Sequence, residues 1–352
     1  MVLFCARRHS NGAFDAAECR ATRRPGMGDS SGFRRIASRR GMPVNLGIAE
    51  MDRISIAPPR RRSAQQEITE FCAGFNEAAE FGSEHIVDLA GIYRRSTPDV
   101  MAEVGARFAG GAKCLLIQEF GASQECGAAP CTDRARTIAS AALLGFTAAL
   151  GFKPYAFVQE RAGSLVHDVR PEPGARTSIS SSGGMDFSLH ADCACLGRDL
   201  RPELLSFLCL VDESSTETEV AALPDVLRNL PAEAIEELAA PNFLHRAPDS
   251  FLGSAKDRVS SILDRVDGAW EVKVATHSCQ PLTEAATSAF QRFVECANQA
   301  RAAHRWRAGD LLLVNNRECL HGRRAIGQGK RHLLRCYGSR TQRCGATVDL
   351  SR

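Results

Sequence analysis

From Tyr155 onward the chain is divided into short apolar segments separated by glycine and proline, and this rhythm limits the possible fold more than any other feature. The strand-like segments up to residue 213 read AFVQE, LVHDVRP, TSISSS, DFSLHADC and LLSFLCLVDE. Two more, GDLLLVNNRECLHGRR and RHLLRCYGSR, lie near the end of the chain. Short strands with turn residues between them are typical of a β-barrel or β-sandwich. We therefore expect a β core built from both stretches.

Helical patterns surround these strands. Ser63 is the expected N-cap of a helix that reads SAQQEITEFCAGFNEAAEF, and two further helices read STPDVMAEVGARFAGG and TDRARTIASAALLGFTAALG. Short strands, DRISIA and AKCLLIQEF, lie among these helices. Between the two β stretches, PDVLRNLPAEAIEELAAPNFL and PLTEAATSAFQRFVECANQARAAHRW predict an inserted helical segment. The predicted fold class is mainly β with flanking helices (α+β).

Charge divides the chain into two parts. Residues 1–63 contain thirteen Arg, no Lys and five acidic residues, whereas the whole chain has a net charge of +3, so the remainder is mildly acidic. Arg-rich arms contact nucleic acid or membrane surfaces, or act as organelle transit peptides. This arm shows neither apolar periodicity nor aromatic interleaving. We therefore expect residues 1–50 to be a disordered leader and residues 51–352 to form a single domain.

The same features predict which partners the protein does not have. The chain contains no run of about 18 apolar residues, so no membrane span is expected. The mildly acidic remainder argues against nucleic acid as a substrate. The first residues offer no apolar stretch long enough for a secretory signal, so a cytoplasmic location is the default expectation. The oligomeric state is not predicted.

Fourteen cysteines are present, but no C-x-x-C pair occurs among them. Most are expected to be small buried side chains, as free cysteines usually are. Cys193 and Cys195 follow His190 and Asp192 closely in the sequence. If the strand continues past Asp192, both thiols point to the face opposite the imidazole and the carboxylate. A turn or bulge directly after Asp192 would instead bring a thiol close to them.

Three residues suggest a metal centre. His190 and Asp192 are two residues apart in a strand-like run, so their side chains are expected on one face. His321 follows the apolar strand GDLLLV and the turn-like NNRE. Two His and one carboxylate form a facial triad that suits non-haem Fe(II) and leaves positions open for O₂ and a chelating cosubstrate. A non-catalytic β-barrel domain, with some of the cysteines binding zinc, is the alternative.

A basic residue follows His321 at a distance that suits carboxylate binding. A guanidinium can bind a carboxylate through two parallel hydrogen bonds. Arg331 and Arg335 are four residues apart in RHLLRCYGSR, so on a strand they share one face. Geometry alone does not choose between them.

Together, the His-x-Asp pair, GDLLLVNNRECLHGR and the Arg that follows resemble the Fe(II)/2-oxoglutarate-dependent dioxygenases. The resemblance is to the clavaminate synthase-like branch of the TauD-type superfamily, which includes enzymes that hydroxylate free arginine and asparagine in natural-product pathways. It extends from about Val87 to Arg340. It implies a double-stranded β-helix core (jelly-roll, cupin-like), Fe(II) as cofactor, and 2-oxoglutarate and O₂ as cosubstrates.

The resemblance also implies roles for individual residues. His190, Asp192 and His321 would bind iron, although this branch usually has Glu in place of Asp192. Arg335, fourteen residues after His321, would bind the distal carboxylate of 2-oxoglutarate. Thr218 falls where the family often places a Thr near that cosubstrate.

Positions that contact the substrate are implied in the same way. Gln159 and Ser180 lie where amino-acid-oxidising relatives contact their substrates. Those relatives often carry an Arg four residues beyond the 2-oxoglutarate Arg, and it binds the substrate carboxylate. Counted from Arg335, that position is Ser339, with Arg340 next to it, so Arg340 is the candidate here.

The expected activity is that of an oxidoreductase that uses 2-oxoglutarate and releases succinate and CO₂. The implied reaction is hydroxylation of an unactivated C–H bond in an amino acid or an amino-acid-derived small molecule, free or carrier-bound, in a biosynthetic pathway. Desaturation or cyclisation by the same family stays open, because the outcome depends on substrate placement to within about 1 Å.

Overall fold

Helices predominate in the first part of the chain, as the sequence predicts. The computed structural model describes residues 51–75, 80–121, 132–172, 174, 180–251 and 253–351. Within these residues the helices are α1 (Pro58–Cys72), α2 (Ser83–Ser96), α3 (Pro98–Ala109), α4 (Asp133–Ala149), α5 (Leu223–Arg228), α6 (Ala232–Ala239) and α7 (Glu284–Gln299). The Thr132 side chain caps α4 by accepting a hydrogen bond from the backbone N–H of Ala135.

Several helix boundaries differ from the prediction. α1 begins at Pro58 with Ala57 as its N-cap, so Ser63 lies inside the helix. Proline is favoured in a first turn because the N–H that it lacks would have no partner there. α2 lies in a stretch for which the sequence predicts no element. α7 ends at Gln299, before the end of its predicted segment.

Nine of the strands among the described residues overlap segments that the sequence predicts as strands, with different bounds, and the others lie where the sequence predicts none. In chain order the strands are β1 (Asp52–Ser55), β2 (Cys114–Gln118), β3 (Lys153–Phe157), β4 (Val166–Val169), β5 (Phe187–His190), β6 (Leu204–Asp212), β7 (Thr218–Ala222), β8 (Phe243–His245), β9 (Arg258–Ser260), β10 (Leu263–Val266), β11 (Ala269–Val272), β12 (Cys279–Pro281), β13 (Ala302–His304), β14 (Leu311–Asn315), β15 (Cys319–Arg323), β16 (Arg331–Ser339) and β17 (Ala346–Val348). The segment TSISSS, expected as a strand, lies partly outside the described residues, and residues 180–182 form a bend and turn.

Two sheets form the core. The larger has the order β1-β2-β14-β6-β16-β3-β17, with β4 also paired to β16, and the smaller has the order β13-β7-β15-β5. One apolar cluster contains side chains from both sheets, among them Phe207, Leu312 and Tyr337 from the larger and Val220 and Cys319 from the smaller. The sheets therefore pack face to face, and the predicted jelly-roll core is confirmed.

Helices cover the outer faces of both sheets. α1 to α4 pack on the larger sheet, where Phe146 belongs to the same cluster as Leu208 and Leu334. β16 therefore contributes apolar residues to the clusters on both of its faces. The predicted insertion, α5 to α7 with the small strands β8 to β12, packs on the smaller sheet around Phe293 and Leu320.

The packing of α4 on the larger sheet predicts a stability effect. Phe146 is fully buried, and its ring lies 5.2 Å from that of Tyr93 and 4.9 Å from that of Phe120. We expect Phe146→Ala to lower the free energy of unfolding by about 3–5 kcal/mol, because it removes the ring and leaves a cavity. Urea unfolding monitored by circular dichroism measures this loss. Val87→Ala, at a position 59% exposed, is the control, and an equal loss there would contradict the packing argument.

No helix among the described residues is long and apolar enough to cross a membrane. The expected leader, residues 1–50, lies outside the described residues. The division into a leader and one domain stays a prediction.

Candidate active site

His190 and His321 face each other across two neighbouring strands. β5 and β15 are antiparallel, and these two residues are direct partners in the register. Direct partners in an antiparallel pair point to the same face, with Cβ atoms about 5 Å apart. The imidazole centroids are accordingly 4.2 Å apart. Strand pairing therefore brings together two residues that are far apart in the sequence.

A glycine allows this close pairing. A Cβ placed on Gly322 would lie 2.7 Å from the backbone oxygen of Phe187 and 3.1 Å from the backbone nitrogen of Leu189. Any larger residue at Gly322 would push β5 and β15 apart, and with them the two imidazoles.

Asp192 reaches the same point by a different route from the one predicted. Strand alternation was the expected reason for its convergence with His190, but β5 ends at His190 and a turn follows. The backbone N–H and C=O of Asp192 are held by the Asn316 side chain, at 2.8 and 3.1 Å. The convergence predicted from the sequence is therefore present, and a turn rather than a strand produces it.

The three side chains form a set of metal donors. Their ligand atoms all lie within 4.8 Å of one another, and all three residues are buried. His190 Nδ1 donates to the backbone carbonyl of Ser188 at 2.8 Å, so Nε2 carries the lone pair. That Nε2 is buried, has no hydrogen-bond partner among the described residues, and lies 3.4 Å from Asp192 Oδ1. His321 Nε2 lies 3.8 Å from the same oxygen. This arrangement fits a divalent metal ion.

The electrostatics of the three residues suit the same role. Burial, reinforced by the nearby His190, lowers the pKa of His321 to about 3, so this imidazole is neutral and can donate a lone pair. Burial opposes ionisation of Asp192, but the Arg335 guanidinium and His190 outweigh it and lower the pKa of this carboxyl far below its usual range. The site therefore offers a neutral nitrogen donor at His321 and a carboxylate at Asp192.

Arg335 lies directly beside this cluster. Its Nη1 donates to Asp192 Oδ2 at 2.9 Å, and its Nη2 donates to Glu160 Oε1 and His167 Nδ1, each at 2.8 Å. The guanidinium also lies 4.6 Å from the centre of the Tyr337 ring. Burial raises the pKa of Glu160, an effect that Arg335 offsets only in part. Arg335 thus links the carboxylate of the triad to a second buried carboxyl.

Arg331 is the guanidinium that contacts Thr218. Its Nη2 donates to Thr218 Oγ1 at 2.9 Å, and Trp306 Nε1 donates to the same oxygen at 2.7 Å. All three residues line a narrow cavity of about 40 Å³, which also reaches His190 and His321. We call it the inner cavity. The sequence paired Thr218 with Arg335, whereas the structure joins Thr218 to Arg331.

A larger cavity of about 710 Å³, the outer cavity, is lined by His190 and Asp192 of the triad. Gln159 and Ser180, expected to contact substrate, both line it. Gln159 is also bound to the C-terminal segment, because its Nε2 donates to Asp349 Oδ1 at 2.7 Å. Asp192 and Arg335 lie in the same wall.

The end of β5 decides between the two alternatives for Cys193 and Cys195. A turn follows Asp192, Cys193 adopts a left-handed backbone conformation with φ of 61°, and the thiols do not point to the opposite face of a continuing strand. Both cysteines are buried and line the outer cavity, and burial raises the pKa of Cys193 well above its usual value and that of Cys195 to about 11. Arg340 lies apart from the site, with its side chain 62% exposed and paired with Glu203.

Sequence reasoning also missed residues that the structure brings to the site. They include Glu160, directly after Gln159, and His277, whose ring lies 5.9 Å from that of His190. His167, which no motif in the sequence singles out, accepts a hydrogen bond from Arg335. Asn316 was noted only as part of a turn. The position of Glu160 next to Gln159, an expected substrate contact, was the one sequence signal that could have identified it. The other residues reach the site through contacts between distant segments, which the sequence does not reveal.

Comparison with known proteins adds to this geometry. Residues 129–337 match the family described as Taurine catabolism dioxygenase TauD, TfdA family. An L-asparagine oxygenase from Streptomyces coelicolor is 30% identical over 241 residues, which cover 67% of this chain and 68% of that protein.

Solved structures show the same fold. An asparagine oxygenase in complex with Fe(II), 2S,3S-3-hydroxyasparagine and succinate is 21% identical, with a TM-score of 0.72 over 84% of this chain and 94% of that chain. The non-haem iron oxygenase OrfP in complex with Fe, succinate and (3S)-hydroxy-L-Arg is 18% identical, with a TM-score of 0.73 over 82% of this chain and 95% of that chain. The family match covers more than half of the sequence, and the resemblance expected from its motifs is confirmed: this chain belongs to the TauD/TfdA family of dioxygenases.

Proposed function

We propose that this protein, an Fe(II)- and 2-oxoglutarate-dependent dioxygenase, hydroxylates an unactivated C–H bond of a free amino acid or a small molecule derived from one. The observation that carries the proposal is the pair formed by Arg335 and Glu160 in the wall of the outer cavity, next to the triad. These two side chains offer one positive and one negative group to a substrate that carries both charges.

Iron binding is assigned to His190, Asp192 and His321. The donor atoms are Nε2 of each histidine and Oδ1 of Asp192, because these atoms lie closest together. Three protein ligands on one side leave the remaining positions of an Fe(II) ion open. When bound, Fe(II) supplies the oxidative chemistry, in which O₂ and 2-oxoglutarate are consumed and succinate and CO₂ are released.

Arg331, rather than Arg335, is assigned to the distal carboxylate of 2-oxoglutarate. Arg331 and Arg335 both line the inner cavity, but Arg331 is the one that donates to Thr218, the residue expected near that carboxylate. Arg335 forms no hydrogen bond with Thr218 among the described residues, and it lies against Asp192 of the triad. The inner cavity must widen to admit a five-carbon dicarboxylate, since it measures about 40 Å³. The Thr218 hydroxyl would exchange its bond with Arg331 for one with the incoming carboxylate.

This assignment changes which residue is available for the substrate. Relatives that oxidise amino acids often carry a substrate-binding Arg four residues beyond the cosubstrate Arg. Counted from Arg331, that position is Arg335, which lines the outer cavity, and no longer Ser339. Arg331 and Arg335 lie on the same face of β16, so one strand can present both guanidinium groups to the site.

Arg335 and Glu160 are matched to an α-amino acid. A free amino acid carries a carboxylate and an ammonium group on one carbon atom, and the Arg335–Glu160 contact is 2.8 Å. The substrate can pair its carboxylate with Arg335 and its ammonium group with Glu160. A carrier-bound amino acid has a thioester in place of the carboxylate, so the pair favours the free form.

The surrounding residues keep these charges in place. Tyr337 lies under the guanidinium of Arg335, and its hydroxyl is 3.4 Å from Glu160 Oε1. Both charged side chains are almost fully buried. Fixed charges in a dry site bind more strongly than the same charges in water, and they hold the substrate carbon in one position relative to the metal.

A succinate-release screen tests this function. We expect one or a few free amino acids to raise succinate formation above the uncoupled rate, with a product heavier by one oxygen atom. Blocking either the amino or the carboxyl group of the active amino acid should lower kcat/KM by about 10–100-fold, because each blocked group leaves a buried charge without its partner.

The control for this screen is the same set of compounds with a chelator in place of Fe(II), which should give no succinate. Turnover of a carrier-tethered amino acid alone, with free amino acids inert, would contradict the role given to Arg335 and Glu160. A product that has lost two hydrogen atoms and gained no oxygen would indicate desaturation instead.

A further inference from the structure

The backbone of Asp192 lies just beyond the end of β5, where hydrogen bonds between the strands of the smaller sheet no longer hold it. β5 ends at His190, and the last contact of ladder type is the bond from the N–H of Ala191 to the carbonyl of Val274, at 2.8 Å. From Asp192 the chain enters a turn. The hydrogen bonds to its N–H and C=O come from a side chain, that of Asn316.

The oxygen and the nitrogen of the Asn316 carboxamide both form hydrogen bonds at this position. Its Oδ1 accepts from the N–H of Asp192 at 2.8 Å, and its Nδ2 donates to the carbonyls of Asp192 and Pro202, each at 3.1 Å. The residue is fully buried. A carboxamide carries one acceptor and two donors, so it can pair with both sides of a single peptide unit as a neighbouring strand would.

We propose that Asn316 is a positioning residue for the carboxylate of the metal site, acting through the backbone of Asp192. The inference rests on the proposed role of Asp192 as an iron ligand. Asp has one methylene group fewer than the Glu that is usual in this branch, so a shift of its backbone moves its carboxylate directly. Arg335 holds the outer oxygen, Oδ2, at 2.9 Å, while Asn316 holds the main chain. With both ends held, Oδ1 is left to face His190 and His321.

The turn that carries Asn316 is itself tightly held. The backbone N–H of Asn316 donates to the carbonyl of Glu203 at 2.9 Å, and Arg317 Nη2 donates to the carbonyl of Arg198 at 3.0 Å. The turn lies between β14 and β15, and β15 carries His321. One short connection therefore positions two of the three ligands: His321 through the strand that follows it, and Asp192 through the amide of Asn316.

The neighbouring residue Asn315 provides a matched control. It is the last residue of β14, directly before the turn, and is half-buried, but its Oδ1 accepts from the N–H of Arg317 and its Nδ2 donates to Glu318, at 3.1 and 3.0 Å. Asn315→Ala therefore removes two hydrogen bonds from the turn and none from Asp192.

The experiment measures Fe(II) affinity by anaerobic equilibrium dialysis, independently of turnover, together with the melting temperature of each metal-free protein. We expect Asn316→Ala to bind Fe(II) about 10–100-fold more weakly than the unmodified protein, the usual cost of losing a partner that orients a metal ligand. Asn315→Ala should bind Fe(II) like the unmodified protein. If Asn316→Ala does not fold, Asn316→Asp takes its place, since it keeps the shape and the acceptor but loses both donors, and the same weakening is expected.

Folded Asn316→Ala or Asn316→Asp protein with unchanged Fe(II) affinity would overturn the positioning role. So would an equal loss of affinity in Asn315→Ala, because the effect would then belong to the turn as a whole. Asp192→Ala is measured in parallel to separate this inference from the proposed function. If Asp192→Ala binds Fe(II) normally, Asp192 is not a ligand and both proposals fail. If it loses Fe(II) while Asn316→Ala keeps it, only the positioning role fails.

Discussion

Replacement of His321 by alanine is expected to abolish substrate-linked succinate release and to remove most of the Fe(II) affinity. His321 would supply one of three protein ligands, and its pKa of about 3 makes it a neutral donor throughout the physiological range. A triad reduced to one histidine and one carboxylate holds the ion at two points and in no fixed geometry. The loss of affinity should exceed the roughly 10–100-fold that follows when a partner of a ligand is removed.

Two measurements check this prediction. Succinate is assayed with and without the amino acid substrate, and Fe(II) binding is measured by anaerobic dialysis on the same preparation. His85→Ala is the control, since His85 lies on α2 and its Nδ1 accepts from the backbone N–H of Gly82, far from the metal donors in the sequence and in the fold. His321→Ala protein that keeps the turnover of the unmodified enzyme would show that the triad is assigned wrongly.

The type of fold follows from local sequence patterns, whereas the pairing of its strands does not. Apolar runs separated by Gly and Pro locate β6 and β14, because a strand buried on both faces needs little else to be recognised. The register that sets His190 opposite His321 joins positions 131 residues apart and depends on the whole sheet. The sequence identifies both histidines, and the structure supplies the reason that they meet.

Asp192 shows how a correct prediction can rest on the wrong cause. An alternating strand would place Asp192 beside His190 and turn Cys193 away. The strand instead ends at His190, and the cost of the left-handed conformation at Cys193, about 1–2 kcal/mol, is offset by the contacts of the turn. Local patterns do not reveal this break, because the bonds that replace the ladder come from Asn316, more than a hundred residues away.

The choice between Arg331 and Arg335 lies beyond the sequence for a similar reason. Both are on one face of β16, and counting fourteen residues from His321 selects Arg335 only if the loop before β16 has the length usual in the family. The number of residues between His321 and the cosubstrate Arg depends on the length of that loop. A contact with Thr218 does not depend on it, and Arg331 makes this contact. The spacing between two family residues is therefore a better guide to their positions in this chain when both lie on one strand than when a loop separates them.

Replacement of Arg331 or Arg335 by lysine is expected to raise the KM for one substrate, 2-oxoglutarate or the amino acid, without raising the KM for the other. Arg331 lies 3.3 Å from the buried carboxylate of Asp212, and Arg335 contacts those of Asp192 and Glu160. Lysine keeps the positive charge beside these carboxylates, but the two-pronged geometry of the guanidinium is lost. A lost charge-assisted hydrogen bond costs about 1.5–3 kcal/mol, which corresponds to roughly 10–150-fold in affinity. Arg331→Lys should raise the KM for 2-oxoglutarate by about that factor and leave the KM for the amino acid nearly unchanged. Arg335→Lys should raise the KM for the amino acid by a similar factor and leave the KM for 2-oxoglutarate nearly unchanged.

Steady-state kinetics give the KM for each of the two substrates. An anaerobic titration of 2-oxoglutarate into the Fe(II) protein, monitored by visible absorption, measures cosubstrate binding without turnover. Arg340→Lys is the matched control and should change neither KM, since Arg340 is exposed and pairs with Glu203. The opposite pattern, with 2-oxoglutarate binding weakened by Arg335→Lys and unaffected by Arg331→Lys, would restore Arg335 as the cosubstrate arginine. The substrate carboxylate would then have lost its proposed partner, and a substrate without a free carboxylate would become the better hypothesis. The two variants therefore decide both the cosubstrate site and the class of substrate.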